Sequence, residues 1–569
     1  MDTAKIAIPR GEVPTFEAPG PGVWQRDEDH WPRPVPASYA EIYPEATVPY
    51  VREWTSRYGL LLDYFETAFV DGFGYARMHA VGEPGDGGSS GPPPKPVFWL
   101  LSRLHPALRE RRAAARRAIE QRLWLDDLEE WEQEAKPQIV ADNRANAAVD
   151  RAALDDDALL AHVDECREDL RRFIGIHHRY NGGMLPIGLL LVAMEEWTGD
   201  SAPVLDLLEG ASPVSSGRSE HLRRLAEAIR DDAELSGALD GEPEDVLRRL
   251  ETGDGRVGAA YREYLETVGY RLVGDSIEHG NPTLVEVPAL MVRTIRSAVE
   301  GSEEPDQHRV RERAAAVRAT VPQEHRHRFD ELLDDTLATY RMRDERSVYA
   351  DVWAAGIFRQ ALLELGRRLA GRDRLAEPVH LIEATSDEVT ALATGNGGPA
   401  AEELARRAEF RETHADHDAP ASLGGEPSDP PPIEVLPSGL REANMAIFAQ
   451  ISGFLGREGD RTDGGVLRGR AASPGRYEGT ARVVIGPSEL DRIEHGDVLV
   501  ARTTSEAFNV ALPLLGAIVT NRGGPLSHAA IVAREAGIPC VVATGEATAE
   551  IPDGATVVVD GSEGEVVIR

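Results

Sequence analysis

The feature that most constrains this chain is a change of period along its length. From Arg103 to about Gly371, apolar and charged residues recur at helical spacing, with breaks at Gly182-Gly183, Gly199 to Pro203 and Gly253 to Gly255. Past residue 466 the spacing changes to short β-rich runs: Gly479 to Ile485, Gly496 to Ala501, Leu515 to Thr520, Ile538 to Ala543 and Ala555 to Asp560. The last two are parted by a turn at Pro552-Asp553-Gly554, and a single Ala-rich helical segment starts at Ser527. Such patterns belong to different layer architectures, so the chain is expected to be multidomain, α and α/β: a large, mostly α-helical domain plus a small C-terminal α/β module.

The expected boundaries are 1–410 for a mainly helical domain with an irregular N-terminal segment, 411–465 for a linker, and 466–569 for the module. Thr15 to Pro44, rich in proline and aromatics, reads as extended or irregular, Val51 to Val81 as helical, and Glu83 to Pro96 as a mobile Gly/Ser/Pro loop. His414 to Pro437, with Pro430-Pro431-Pro432 inside it, has linker character. A helix from Arg441 to Leu455 and a Gly/Asp-rich joint at Gly459 to Gly465 follow.

Composition removes several function classes. A net charge of −35 leaves no basic face for a nucleic-acid backbone. No apolar run is long enough to span a bilayer and the N-terminus has no signal-peptide core, so no membrane is expected and the cytoplasm is the expected compartment. Cys166 and Cys540 are too far apart in sequence to suggest a disulfide framework or a metal spacing; Cys540 reads as a packing residue in a strand. The lysines number three: Lys5, Lys95 and Lys136. None follows a phosphate-cradling glycine loop, so the site that binds ATP and its Mg²⁺ is expected on another chain.

Gly523-Gly524-Pro525-Leu526-Ser527-His528-Ala529-Ala530 joins the strand Leu515 to Thr520 to the Ala-rich helix. With Ser527 as N-cap, His528 falls in the first turn, where free backbone N–H groups and the helix dipole favour a neutral imidazole and welcome an anion. Glycines allow a phosphate close to the backbone. The run resembles the phosphohistidine signature of the mobile domain of the phosphoenolpyruvate-utilising enzymes. That resemblance implies a swivelling domain over about 466–569, His528 as the phosphoryl carrier, and Gly523, Gly524, Ser527, Thr503 and Thr504 around the phosphate. Relatives carrying a regulatory threonine two residues before the histidine differ here, where Leu526 stands.

In the helical region, Gly269-Tyr270-Arg271 with Asn281 to Pro288, then Tyr340 to Arg346 and Leu363 to Leu369, resemble the substrate region of phenylphosphate synthase and rifampin phosphotransferase. The split arrangement of phenylphosphate synthase implies a separate ATP-grasp partner subunit. Phosphoryl transfer needs cations and a base, for which Arg271 and Arg343, and Glu286 and Glu345, are the candidates; an ordinary helix-surface ion pair is the alternative for each. His177-His178 beside Asn181, Asp29-His30, and the aromatics Trp24, Trp31, Tyr64, Phe73 and Tyr75 are further candidates. Adjacent histidines diverge on a helix, and core packing is the plainer role for the rings.

The expected activity is a phosphotransferase component that moves phosphoryl from His528 to a small hydroxylated acceptor, aromatic ones included. Two alternatives stand beside it: a dehydratase that phosphorylates a hydroxyl transiently, and a non-catalytic binding protein that keeps the mobile fold.

Overall fold

Asp71 and Gly72 both take positive φ, 49° and 81°, and turn the chain between two strands where helical spacing predicts a helix. The helix Ile42–Arg57 ends before the strands Leu62–Val70 (β3) and Phe73–Ala80 (β4), which pair antiparallel with Val70 opposite Phe73. An Asp-Gly pair matches the twist of a two-residue hairpin, and this local signal overrides the apolar spacing around it. The computed structural model describes residues 6–7, 14–83, 91–212, 214, 219–253, 255–274, 276–301, 307–414, 419–455 and 465–569. Half of the expected loop at Glu83 to Pro96, residues 84–90, and nearly all of the joint at Gly459 to Gly465 lie outside the described residues.

Chain contacts divide the protein into two units. The first comprises Met1–Leu185, Glu278–Gly280 and Tyr349–Ile447. Its sheet adds Ile6–Ala7 (β1), Trp24–Arg26 (β2) and Ser422–Leu423 (β5) to the hairpin, in the order β1-β3-β4-β2-β5. Trp24, Phe73, Tyr75, Phe410 and Leu423 form one core cluster of this unit. The helices Ile42–Arg57 and Trp353–Ala370 both pack on Asp156–Arg179, burying Trp54, Phe173 and Trp353. The candidate aromatics therefore pack: Trp24, Trp31, Phe73 and Tyr75 are at most 1% exposed, and Tyr64 stacks on His79 at 4.2 Å. His177 and His178 diverge as their helix requires, to Asp351 Oδ2 (2.6 Å) and the Tyr43 hydroxyl (3.0 Å). The His30 ring sits 2.9 Å from the Asp27 carboxylate.

The second unit comprises Pro186–Ile277, Asn281–Val348 and Phe448–Arg569. Its helical part includes Glu220–Arg230, Pro243–Thr252, Gly255–Tyr264, Pro288–Glu300 and Arg326–Arg346. Its sheet is built from Val466–Arg468 (β6), Arg470–Ser473 (β7), Arg476–Val484 (β8), Asp497–Ala501 (β9), Leu515–Thr520 (β10), Cys540–Val542 (β11), Thr556–Asp560 (β12) and Glu565–Ile568 (β13). The strand order is β6-β13-β12-β8-β9-β10-β11-β7, with β8, β9, β10 and β11 parallel and the flanking pairs antiparallel.

Alternation along these strands decides which face each residue serves. Val498, Val500, Ala517, Val519 and Val541 point into a core with Val557, Val559 and Val566. Leu499, Ala501, Ile518, Cys540 and Val542 point the other way, under the helix His528–Ala536, into a cluster that also holds Leu225, Tyr264, Leu284 and Ile295 from the helical part. The helix carrying His528 is thus sandwiched within one continuous core. Cys540 is fully buried and burial pushes its thiol up to about 12, which fits a packing role.

Candidate functional site

The turn that delivers His528 is tight because Gly523 takes φ of +107°. A Cβ there would stand 2.8 Å from the Ser527 hydroxyl. Ser527 occupies the N-cap position in extended backbone (φ −67°, ψ 161°), yet its side chain caps no N–H. Its Oγ lies against Gly523 instead, buried and without a hydrogen-bond partner. The expected position is therefore right and the expected capping bond is not formed. Gly524 accepts a backbone bond from Ser527 (2.9 Å) and closes the turn.

His528 is the first residue of the helix and is 4% exposed. Its ring is held at both nitrogens. Thr504 Oγ1 lies 2.8 Å from Nδ1, and Asn509 Oδ1 lies 2.9 Å from Nε2. With a carbonyl oxygen facing Nε2, that nitrogen carries the proton and donates, while the Thr504 hydroxyl donates to Nδ1. Burial lowers the imidazole's pKa to about 3, with the Arg343 charge acting in the same direction and Asp344 opposing it. The ring is therefore neutral at physiological pH. Thr504 contacts the ring itself; Thr503 is half-buried in the same segment.

The helical part closes over this ring. Arg343 donates from Nη1 to the Leu526 carbonyl at 3.0 Å, two residues before His528. Its neighbour Asp344 is buried and accepts from Ser212 Oγ at 2.5 Å. The Ser212 and Gly210 backbone N–H groups donate to Glu535 Oε1 and Oε2, both at 3.0 Å, on the histidine helix. Burial raises Glu535 to about 7, helped by Asp344 and Glu209 and opposed by those two amides. Glu345 is buried on the helix Arg326–Arg346.

Beside Asn509 opens a cleft of about 420 Å³, solvent included. It is lined by Tyr264, Arg271, Glu506 and Asn509, with Ser219 and Thr294, and by the aliphatic side chains Val214, Leu222, Val268, Leu272, Val348 and Val510. A wide helical turn at Leu265–Gly269 ends the preceding helix and presents Tyr264 and Val268 on one side. A backbone bridge between Leu272 and Thr283 then fixes Arg271, which is 9% exposed. Glu286 stabilises that bridge from below: its Oε2 accepts from Thr283 N and Thr283 Oγ1, both at 2.9 Å, as part of a capping box.

Arg271 therefore lines the cleft, Arg343 reaches the turn before His528, and Glu286 is a cap. The carboxylate that lines the cleft is Glu506, which sequence reasoning passed over together with Asn509, Tyr264, Asp344 and Glu535. Asn509 carried one readable signal: it is a polar residue set among Phe508, Val510 and Ala511, in the segment just after Thr503-Thr504.

Two known families match parts of the chain. Residues 493–564 match the mobile domain of PEP-utilising enzymes, and residues 176–345 match the fourth domain of rifampicin phosphotransferase. An uncharacterised protein of Mycobacterium tuberculosis is 30% identical over 369 residues, 64% of this chain and 37% of that protein. A rifampicin phosphotransferase of a Streptomyces species is 29% identical over 429 residues, 72% of this chain and 46% of the relative. A phosphoenolpyruvate synthase of Pyrococcus furiosus is 48% identical over 101 residues, 18% of this chain and 12% of that enzyme. The chain thus spans less than half the length of these relatives. Over 493–564, where His528 starts a helix, it is similar to the mobile domain of PEP-utilising enzymes, and over 176–345 to the fourth domain of rifampicin phosphotransferase.

Proposed function

We propose that this chain is a phosphotransferase component in which His528 carries a phosphoryl group and donates it to a hydroxyl on a small acceptor. The observation that carries this reading is the neutral, buried imidazole of His528, whose Nε2 edge is held by Asn509, a residue lining the adjacent cleft. Nε2 is the nitrogen assigned to the phosphoryl, with residues 466–569 as the moving module and 411–465 as the linker. ATP with Mg²⁺ is the source of the phosphoryl in this reading, bound by an ATP-grasp partner outside this sequence. Among the described residues, no group of three or more His, Cys, Asp or Glu side chains is arranged to hold a metal ion, and no step below passes through one.

Nε2 becomes a nucleophile when the proton sits on Nδ1. Thr504 Oγ1 can accept from Nδ1–H as readily as it donates, and a half-turn of the Asn509 amide brings Nδ2–H to face the Nε2 lone pair. In transfer, the acceptor hydroxyl oxygen attacks phosphorus while the P–Nε2 bond breaks and its electron pair stays on Nε2. Nδ1 keeps its hydrogen, so the leaving group is neutral imidazole. The hydroxyl proton passes to the Glu506 carboxylate, and the Arg271 guanidinium neutralises the moving charge.

The buried position of His528 supports alternation between two states. A second protein cannot reach a ring that is 4% exposed, so the module leaves the helical part to be loaded and returns to donate. The test is chemical. Incubation with phosphoramidate, or with ATP, Mg²⁺ and a candidate ATP-binding partner, should place acid-labile, base-stable phosphate on the His528 peptide. Equal labelling of His528→Ala overturns the reading. Rifampicin, the compound in one relative's name, belongs in the acceptor panel beside small alcohols and phenols.

A further inference from the structure

We infer that the cleft lined by Tyr264, Arg271, Glu506 and Asn509 is a binding subsite for a small aliphatic hydroxy acid, its carboxylate on Arg271 and Tyr264 and its hydroxyl toward Asn509 and His528. The inference rests on the phosphotransferase reading for the word acceptor, and on the cleft's own chemistry for the ligand class.

Two donors in the cleft have nothing to bond. The Tyr264 hydroxyl belongs to a side chain with no exposure, and the Asn509 Nδ2 to one that is 7% exposed; neither has a hydrogen-bond partner. Buried donors are ordinarily satisfied, so a pair of them lining one cleft marks where a ligand's acceptor oxygens complete the set. The phenol stays protonated because burial raises its pKa well above the ordinary value, so it keeps a proton to donate.

Arg271 adds a guanidinium whose fork fits a carboxylate. Donors thus dominate at the Tyr264 and Arg271 side. Glu506 is the only carboxylate among the lining residues, and it suits a hydroxyl as proton acceptor rather than a second anion. The remaining walls are aliphatic, with Tyr264 the single ring. The roughly 420 Å³ of the cleft includes the open solvent at its mouth, so the enclosed part admits only a small ligand. Aromatic and polycyclic acceptors fit that lining poorly.

Calorimetry on the full chain tests this with 2-hydroxyisovalerate as the probe. 2-Methylpropan-1-ol serves as the neutral control and 4-hydroxybenzoate as the aromatic one. Saturable binding of the hydroxy acid is expected, weakened about tenfold in Tyr264→Phe and lost in Arg271→Gln, with circular dichroism confirming that each variant folds. Absent binding of the hydroxy acid, equal binding of the neutral alcohol, tighter binding of the aromatic acid, or an affinity unchanged in Tyr264→Phe and Arg271→Gln each overturns the subsite. If His528 accepts phosphate while the hydroxy acid fails to bind, the subsite falls and the phosphotransferase reading stands. If the hydroxy acid binds but His528 never carries phosphate, the acceptor role falls and a plain binding site remains.

Discussion

Glu535→Gln should change the pH dependence with which the histidine helix stays docked. Glu535 is 2% exposed and accepts backbone bonds from Gly210 and Ser212, which ties the helix His528–Ala536 to the loop of the helical part. Its carboxyl is raised from 4.5 to about 7, burial being the largest cause. A raised carboxyl binds its proton more tightly in the docked state than when released. The docked state is therefore favoured at low pH, loses that advantage as pH rises from 4.5 to about 7, and carries the full burden of a buried charge above it. The difference amounts to about 3 kcal/mol at roughly 1.4 kcal/mol per pH unit, about a hundredfold in the docking equilibrium. Glutamine is neutral throughout and gives up one of the two acceptors, at about 1–3 kcal/mol. Amide hydrogen exchange in 208–212 and 528–536, corrected for intrinsic rates, should show the parent opening about a hundredfold more between pH 5 and pH 8 relative to Glu535→Gln. A parent-to-variant ratio that stays flat over that range, or that moves the other way, refutes the reasoning.

Three further outcomes are expected. His528→Ala should abolish acid-labile phosphate and acceptor phosphorylation while the chain still folds, at a stability cost of about 1–3 kcal/mol for each of the buried Thr504 and Asn509 side chains left without the ring; residual transfer above background counts against it. Asn509→Leu removes the partner of Nε2 and should lower transfer by about 10²-fold, with Asn509→Gln restoring part of it and Asn509→Asp shifting the pH profile; kinetics indistinguishable from the parent exclude a positioning role. Shortening the start of the Ser428 to Pro437 segment, Ser428 to Pro432, which spares the buried Leu436, should slow loading of His528 or donation from it while the chain stays folded, and full turnover in that deletion argues against a swivelling linker.

How much was legible follows from where each signal resides. The strand Leu515–Thr520 lies where its apolar run ends at Asn521-Arg522-Gly523, and the helix begins at His528 because Ser527 and the glycines before it mark the start locally. Spacing alone turns the N-terminal hairpin into a helix, because Tyr64, Phe65, Ala68 and Phe69 also satisfy a period of three and four, whereas the Asp71-Gly72 turn is the local signal that decides. Glu286 looked like a base beside Arg271, but three residues after Thr283 it is also the last member of a capping box, and the local bond wins. Asn509 and Glu535 acquire their roles only from partners far along the chain: 19 residues away for the ring, and 323 and 325 for the two amides. Long-range pairing of that kind leaves no periodicity to read.

Docking of the module on the helical part also sets what a swivel must overcome. Among the described residues, hydrogen bonds that join the two include Arg343 to the Leu526 carbonyl, Arg293 to the Asp491 carbonyl, Thr294 to Val510, Ser297 to Pro513, Ser505 to Gly274, and the two amides at Glu535. At about 1 kcal/mol net apiece these seven contribute roughly 7 kcal/mol, before any apolar contact is counted. A ligand or modification shifts such an equilibrium only by its difference in free energy between the two states. Phosphate on Nε2 makes such a difference, because it occupies the place that Asn509 now holds against the ring and brings a double negative charge beside Asp344 as well as Arg343. Arg343 attracts that charge and Asp344 repels it, so the balance between two adjacent residues on one helix decides whether loading draws the module in or pushes it out. Asp344→Asn should therefore tighten docking of the phosphorylated form and leave the unphosphorylated form nearly unchanged, as Ser212 Oγ can still donate to the amide oxygen. Hydrogen exchange of residues 528–536, compared between the two forms of each protein, reads this directly. Equal tightening in both forms would mean that Asp344 acts through stability alone, and the charge argument would fail.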